Sequence, residues 1–150
     1  DVYKRQFVYY PSRFAHTLQA TGWEPASYLM FKWEGQEIAA GNLLAHQRFS
    51  ACDLLLHMEQ SNGFNARVLF EGQTRYLQRL HCHLSVLRSG AAYAEHRDDY
   101  DVAIIVLEGE VETIGGLYGP YSVIYYGRGE PHGMLNPGPL DAKYIVFEFQ

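Results

Sequence analysis

Four histidines and one aspartate carry the chemistry that this chain could do: His81 and His83 in "LHCHLSVL", His96 and Asp98 in "AEHRDDYD", and His132 in "GEPHGMLN". Imidazole nitrogens and a carboxylate oxygen are the donors that hold Fe(II), Mn(II), Zn(II) or Ni(II), and two histidines with one carboxylate form a recognised open triad. An imidazole also titrates near neutrality, at about 6.5, which suits proton transfer. Two kinds of chemistry are therefore in play, metal-assisted work and plain acid/base work by His132 and His96. Strand parity adds a constraint. In "LHCHLSVL" residues His81, His83, Ser85 and Leu87 share one face, and Cys82, Leu84 and Val86 share the other.

The elements that must position these side chains are mostly strands. From Ala66 onward the runs "RVLFEG", "YLQRLHCHLSVLRSG", "DVAIIVLEGEVETIGG", "YSVIYYGRG" and "AKYIVFEF" are rich in Val, Ile, Leu and Tyr and are punctuated by Gly, Pro, Asn and Asp. Strands at that spacing without intervening helices predict one antiparallel sandwich or barrel over residues 66 to 150. Residues 1 to 65 read as an irregular arm. Within it "SACDLLLHMEQSNG" predicts a short helix from about residue 50 to 63, with Ser50 and Asp53 at its start, Gly63 as its stop, and Leu54, Leu55 and Met58 facing the core. The first six residues, "DVYKRQ", are expected to lie outside the native fold. "VLEGE" predicts a tight hairpin with Gly109 at positive φ, and "GRGEPHG" a turn that delivers His132 to the start of a strand.

At 150 residues the chain has the size of one domain with a real core. Its net charge of −5 and acidic balance speak against nucleic acid as a partner. No apolar run approaches a membrane span, and a cytoplasmic location without a membrane partner is expected. Cys52 and Cys82 make neither a disulfide framework nor a metal knuckle and are expected to be buried free thiols.

Residues 90 to 138, about a third of the chain, resemble the cupin superfamily. The family's first motif runs Gly, five residues, His, one residue, His, three or four residues, Glu, six residues, Gly. Gly90, His96 and Gly109 fall on that frame. The second motif is matched by Gly129, Pro131, His132 and Asn136, with Gly127 where a Pro is usual. The resemblance implies a small antiparallel jelly-roll barrel that often pairs as a homodimer. It also implies a divalent metal on the two first-motif histidines, the glutamate and the second-motif histidine. This chain departs there: the second His is Asp98 and the Glu is Val102. Two alternatives could complete the set. Asp98 could supply a carboxylate, and His83, if the strand turns its face inward as the resemblance implies, a third imidazole.

The expected site therefore has His132 and His96 as acid/base residues, His96, Asp98, His132 and His83 as metal ligands, and His83, Ser85, Tyr93 and Asn136 against a small-molecule ligand. Val102 is an apolar wall beside them. The cofactor is a weakly held divalent ion, Fe, Mn, Zn or Ni, or none. The leading functional expectation is binding or processing of a polar metabolite such as a sugar derivative. A non-catalytic docking module with a degenerate metal site, and a mononuclear iron dioxygenase, are the alternatives. The arm from Phe7 to Trp33 is expected across a sheet edge of its own barrel or a partner's, because an open edge invites unwanted pairing.

Overall fold

In a computed structural model of the protein, residues 6 to 38, 41 to 50 and 63 to 150 are described. Eleven strands run in chain order: β1 (Phe7–Tyr9), β2 (Gln47–Phe49), β3 (Phe64–Gly72), β4 (Leu80–Leu87), β5 (Ala92–His96), β6 (Asp101–Glu108), β7 (Val111–Thr113), β8 (Gly116–Tyr118), β9 (Val123–Tyr126), β10 (His132–Leu135) and β11 (Ala142–Phe149). Among the described residues there is no helix. The helix expected over residues 50 to 63 lies almost wholly outside them, and so does Cys52.

A five-stranded sheet in the order β3-β4-β11-β6-β9 faces a four-stranded sheet in the order β5-β10-β7-β8. Every ladder within the two is antiparallel. The central strands read as continuous apolar runs because they are buried on both faces. In β6, Val102, Ile104 and Val106 enter the core between the sheets, while Ala103 and Ile105 enter a second core on the outer side. Leu87, Met134, Tyr144 and Val146 complete the inner layer.

The outer core is closed by the arm. Phe7 packs 5.7 Å from both Phe70 and Phe147, and Tyr9 lies 5.4 Å from Phe70 and 6.1 Å from Trp33. Strands β1 and β2 pair with one another rather than with either sheet. Phe7, Tyr9, Phe31 and Trp33 thus pack on a face of the five-stranded sheet and not along an edge of the chain's own sheets. The physical reason is the second apolar face of β4, β6 and β11, with Cys82, Leu84 and Ile145 at 4% exposure or less, which costs more to leave wet than an edge does. Burial also pushes the Cys82 thiol pKa up, leaving an inert free cysteine.

The turn at Gly109 differs from its sequence reading as well. Gly109 has φ +68, but β6 and β7 belong to different sheets, so "VLEGE" is a corner between layers and not a hairpin. The backbone there is close enough that a Cβ on Gly109 would meet the Asp141 carbonyl oxygen at 2.6 Å. The tight hairpin is the next turn, β7 to β8, with Ile114 at φ 51 and Gly115 at φ 69, the signature of a type I′ turn.

Candidate functional site

Register across the five-stranded sheet lays out the inner face in rows. Glu71, His81, Glu148, Val102 and Tyr126 are successive cross-strand partners from β3 to β9. The next row is Val68, His83, Val146, Ile104 and Ile124, and the one after it brings Ala66, Ser85 and Tyr144 side by side. Glu71, Tyr126 and Ile124 aside, these rows wall a cavity of about 490 Å³ that Tyr93, Ala94, His96, Asp98 and Tyr100 also line. His83 and Ser85 face inward together, as alternation requires. Val102 lies in the same wall, 4% exposed.

His96 ends β5 and His132 begins β10, and the two are register partners with ring centroids 4.3 Å apart. Asp98 joins them: its Oδ2 lies 3.2 Å from His132 Nε2 and 3.6 Å from His96 Nε2. The tautomers follow from the partners. His132 Nδ1 is 3.0 Å from the Glu130 carbonyl and His96 Nδ1 is 3.2 Å from the Ala94 carbonyl. Carbonyl oxygens only accept, so both Nδ1–H groups are spent and both Nε2 atoms carry lone pairs when neutral. Two imidazole lone pairs and a carboxylate then face one another, an arrangement satisfied only by an added proton or a cation.

The surrounding chain holds this geometry. Tyr126 stacks on His132 at 4.2 Å and 18°. Its hydroxyl is hydrogen-bonded to Thr113, whose Oγ1 donates to the Gly133 carbonyl beside His132 at 2.6 Å. The "GRGEPHG" turn docks on the Asp98 backbone, the Gly129 N–H donating to the Asp98 carbonyl at 2.8 Å. His132 is buried behind the cavity wall rather than in it, while His96 and Asp98 reach the open space.

The expected four-residue cluster is not one cluster. His83 stands apart with His81 and Glu148, each offering a ligand atom within 4.8 Å of the others, and His96, Asp98 and His132 form a separate group of the same kind. The cause is register: His83 lies on β4, separated by β11 from β6, and pairs with Val146 rather than with any residue of the first motif. Burial, followed by the neighbouring His81, pushes the His83 pKa down to about 4, which leaves a neutral imidazole at ordinary pH. Burial raises the Glu148 pKa. Tyr100 sits between the groups. Burial, then the Glu148 and Asp98 carboxylates, push its phenol up to about 12.

Asn136 does not line this cavity. It is fully buried, its Nδ2 donating to the carbonyls of Leu87 and Leu140 and its Oδ1 accepting from Gly138 N–H. Every polar atom is committed to joining β4, β10 and the loop before β11. Tyr93 and Ser85 do line the cavity. Ser85 Oγ and Tyr144 Oη are buried there without a well-formed hydrogen bond, but Tyr144 lies near enough to Tyr93 and Ser85 for their hydroxyls to bond weakly to its own. The three make a polar patch on the cavity wall.

Sequence reasoning missed Glu148, Tyr144, Tyr100 and the Thr113–Tyr126 support. Glu148 had a usable signal: it is the sole carboxylate in "YIVFEF", two residues from Val146 and so on the same face.

The architecture is similar to that of known cupin-fold structures, and the chain has a cupin-type fold. A Cupin_2 domain of an XRE family transcriptional regulator from Enterobacter cloacae is 18% identical with a TM-score of 0.50, covering 59% of this chain and 98% of that one. KdgF from Halomonas sp. is 16% identical with a TM-score of 0.50, over 63% and 86% of the two chains. The polyketide cyclase RemF from Streptomyces resistomycificus is 18% identical with a TM-score of 0.50, over 58% of this chain and 65% of that one. The match spans 46% of a chain in the complex of SigE with the anti-sigma ChrR from Rhodobacter sphaeroides. No family model and no curated protein sequence matches this one.

Proposed function

We propose that this protein binds and processes a small polar metabolite in the inner cavity, around a divalent ion held by His96, Asp98 and His132. The observation that carries this reading is the convergence of two Nε2 lone pairs on the Asp98 carboxylate, with both Nδ1–H groups already spent on backbone carbonyls. The distances fit one ion. Metal–N and metal–O bonds of about 2.0–2.2 Å at tetrahedral angles put two ligand atoms about 3.4 Å apart, and 3.2 and 3.6 Å bracket that value. The backbone carbonyls behind the imidazoles are the outer partners that metal-bound histidines ordinarily have.

A bound ion would supply Lewis-acid polarisation of a ligand oxygen. The chain's own part is positioning. The polar patch of Ser85, Tyr93 and Tyr144 offers hydrogen bonds to a ligand oxygen, and Tyr100 closes the same space. Such a lining suits a hydroxyl-bearing ligand, and a sugar derivative is the class we propose. Where no ion is bound, His96 Nε2 at the cavity wall is the atom placed to exchange a proton with it.

Metal content and thermal shift against sugars, nucleotide-sugars and small acids test this on wild type, His132→Ala and His96→Ala. We expect loss of the ion and of ligand-induced stabilisation in both variants, with the fold retained. Unchanged metal content and unchanged ligand response in both would refute it. A docking role is the second reading. It is favoured by the exposed apolar stretch of the arm, where Trp23 is fully exposed and Tyr28, Leu29 and Met30 are each at least half exposed. Homodimerisation belongs to this reading, and light scattering with and without residues 20 to 30 tests it.

A further inference from the structure

In the wall of the same cavity lies a second group of donors that the proposed function does not use. His81 and His83 project from β4 and Glu148 from β11. We infer that His81, His83 and Glu148 form a second, separate site for a borderline divalent cation, Zn(II) or Fe(II), on the β4–β11 wall of the same cavity.

Three observations carry it. The first is distance. His83 Nδ1 and Glu148 Oε1 are 3.8 Å apart, too far for a hydrogen bond, yet neither atom is turned away toward another partner. Two bonds of about 2.0–2.2 Å meeting at an angle somewhat wider than tetrahedral span that gap. All three residues offer ligand atoms within 4.8 Å of one another.

The second is the support behind the histidine. His81 Nδ1 is 2.5 Å from Glu71 Oε2. A carboxylate only accepts, so Nδ1–H is donated to Glu71 and the lone pair is on Nε2. A carboxylate behind a histidine is the common outer partner of a metal-bound imidazole, which it orients and makes more basic. Glu71 is itself held by Arg79 at 2.7 Å. The same guanidinium reaches Glu148 Oε2 at 3.5 Å, so it steadies the oxygen that does not face His83 and leaves Oε1 for a cation.

The third is the row. Glu148 is the cross-strand neighbour of Val102, the place where the related motif would set a glutamate. The carboxylate that β6 lacks is present one strand away, where β4 supplies two imidazoles that the motif does not include. Two imidazoles and one carboxylate select borderline metals over Mg(II) or Ca(II).

This site is independent of the one at His96, and the test separates them. Protein stripped with a chelator and dialysed is titrated with Zn(II), counting tightly bound ions per chain. Co(II) absorption gives a second readout. We expect one equivalent that disappears in His83→Gln and in Glu148→Gln but survives in His132→Gln. In Glu71→Gln, an exposed position outside the ligand set, its affinity should fall about 10–100-fold, and circular dichroism should show every variant folded. The inference is overturned if no equivalent depends on His83 and Glu148, or if Glu71→Gln leaves its affinity unchanged. An equivalent that depends on His132 alone would leave the function proposed above standing and remove this one, and the reverse pattern would do the opposite.

Discussion

Replacing Val102 by Glu puts back the carboxylate that the motif lacks, and the structure fixes what should follow. Val102 is 4% exposed in the inner core, with Glu148 as its neighbour on one side and Tyr126 on the other. Without metal, a carboxylate there loses water and sits among the Glu148 and Asp98 charges. Leaving one charge buried without a partner costs about 3–5 kcal/mol, and some of that is relieved by protonation, so we expect metal-free Val102→Glu to be less stable than wild type by about 2–4 kcal/mol. With metal the difference narrows. A fourth ligand should tighten Zn(II) at His96, Asp98 and His132 by tenfold or more, about 1.4 kcal/mol per decade, and a ligand at a thousand times its Kd adds about 4 kcal/mol to the folded state. Urea unfolding in chelator and in excess Zn(II), on wild type and variant, reads both terms. Zn(II) should restore most of the lost stability and do so more strongly than in wild type. A variant as stable as wild type in chelator would show that position 102 does not face the cavity. Equal Zn(II) stabilisation of both proteins would refute the proposed ligand set.

Asn136→Ala should destabilise the fold by about 3 kcal/mol or more in urea unfolding, since it strands the Leu87 and Leu140 carbonyls and the Gly138 N–H, while metal stoichiometry in the folded fraction stays unchanged. Ile114→Asn should raise stability by about 1 kcal/mol, because a β-branched residue at φ 51 is strained and Asn-Gly is the preferred type I′ pair; no change in melting temperature would contradict the turn assignment. Gly109→Ala should fold poorly, since its Cβ would meet backbone at 2.6 Å and its φ is +68; soluble protein of wild-type stability would be the contrary result. In chelator, His83 adds acid sensitivity. Its folded pKa of about 4 lies below the unfolded value near 6.5, so the unfolded chain binds more protons in that window and stability is lost as pH falls from about 6.5 to about 4, by up to about 3 kcal/mol. Glu148, whose pKa is raised, opposes part of this, and unfolding of wild type against His83→Gln at pH 7 and pH 4.5 gives the difference.

How far the sequence could be read depended on whether the signal was local. Alternation in β4 is local, and it turned His83 and Ser85 to the same inner face on which they are found. The "PHGMLN" frame is local too, and it brought His132 beside His96. The number of clusters depended instead on pairing order. Only the order β4-β11-β6 separates His83 from Asp98, and no spacing within one strand reveals which strand lies between. The same applies to "VLEGE", where the turn residues are legible but the change of sheet is not. Asn136 was misread because a motif position carries no information on whether its polar atoms point at a ligand or at the backbone. The arm was assigned to an edge on the ground that an open edge invites pairing, whereas the continuous run "VAIIVL", lacking polar alternation, already requires a cover on each side.

The inner face bears on why a chain can lose a motif glutamate and keep a polar cavity. Removing that carboxylate from β6 leaves a row with Val102 between Glu148 and Tyr126. Asp98 is among the groups that push the Glu148 pKa up, so a further carboxylate at position 102, the cross-strand neighbour of Glu148, would add to that repulsion. With Val102 in place, each carboxylate has two imidazoles near it, His96 and His132 for Asp98 and His81 and His83 for Glu148, and Tyr100 lies between the pairs. With Val at 102, His96 and Asp98 of one group and His81, His83 and Glu148 of the other line a cavity of about 490 Å³. Restoring Glu at 102 should favour the group at His132 and weaken the one at His83. Measuring Zn(II) affinity at both sites in Val102→Glu, with His83→Gln and His132→Gln backgrounds to resolve them, tests that opposition directly, and a parallel gain at both sites would refute it.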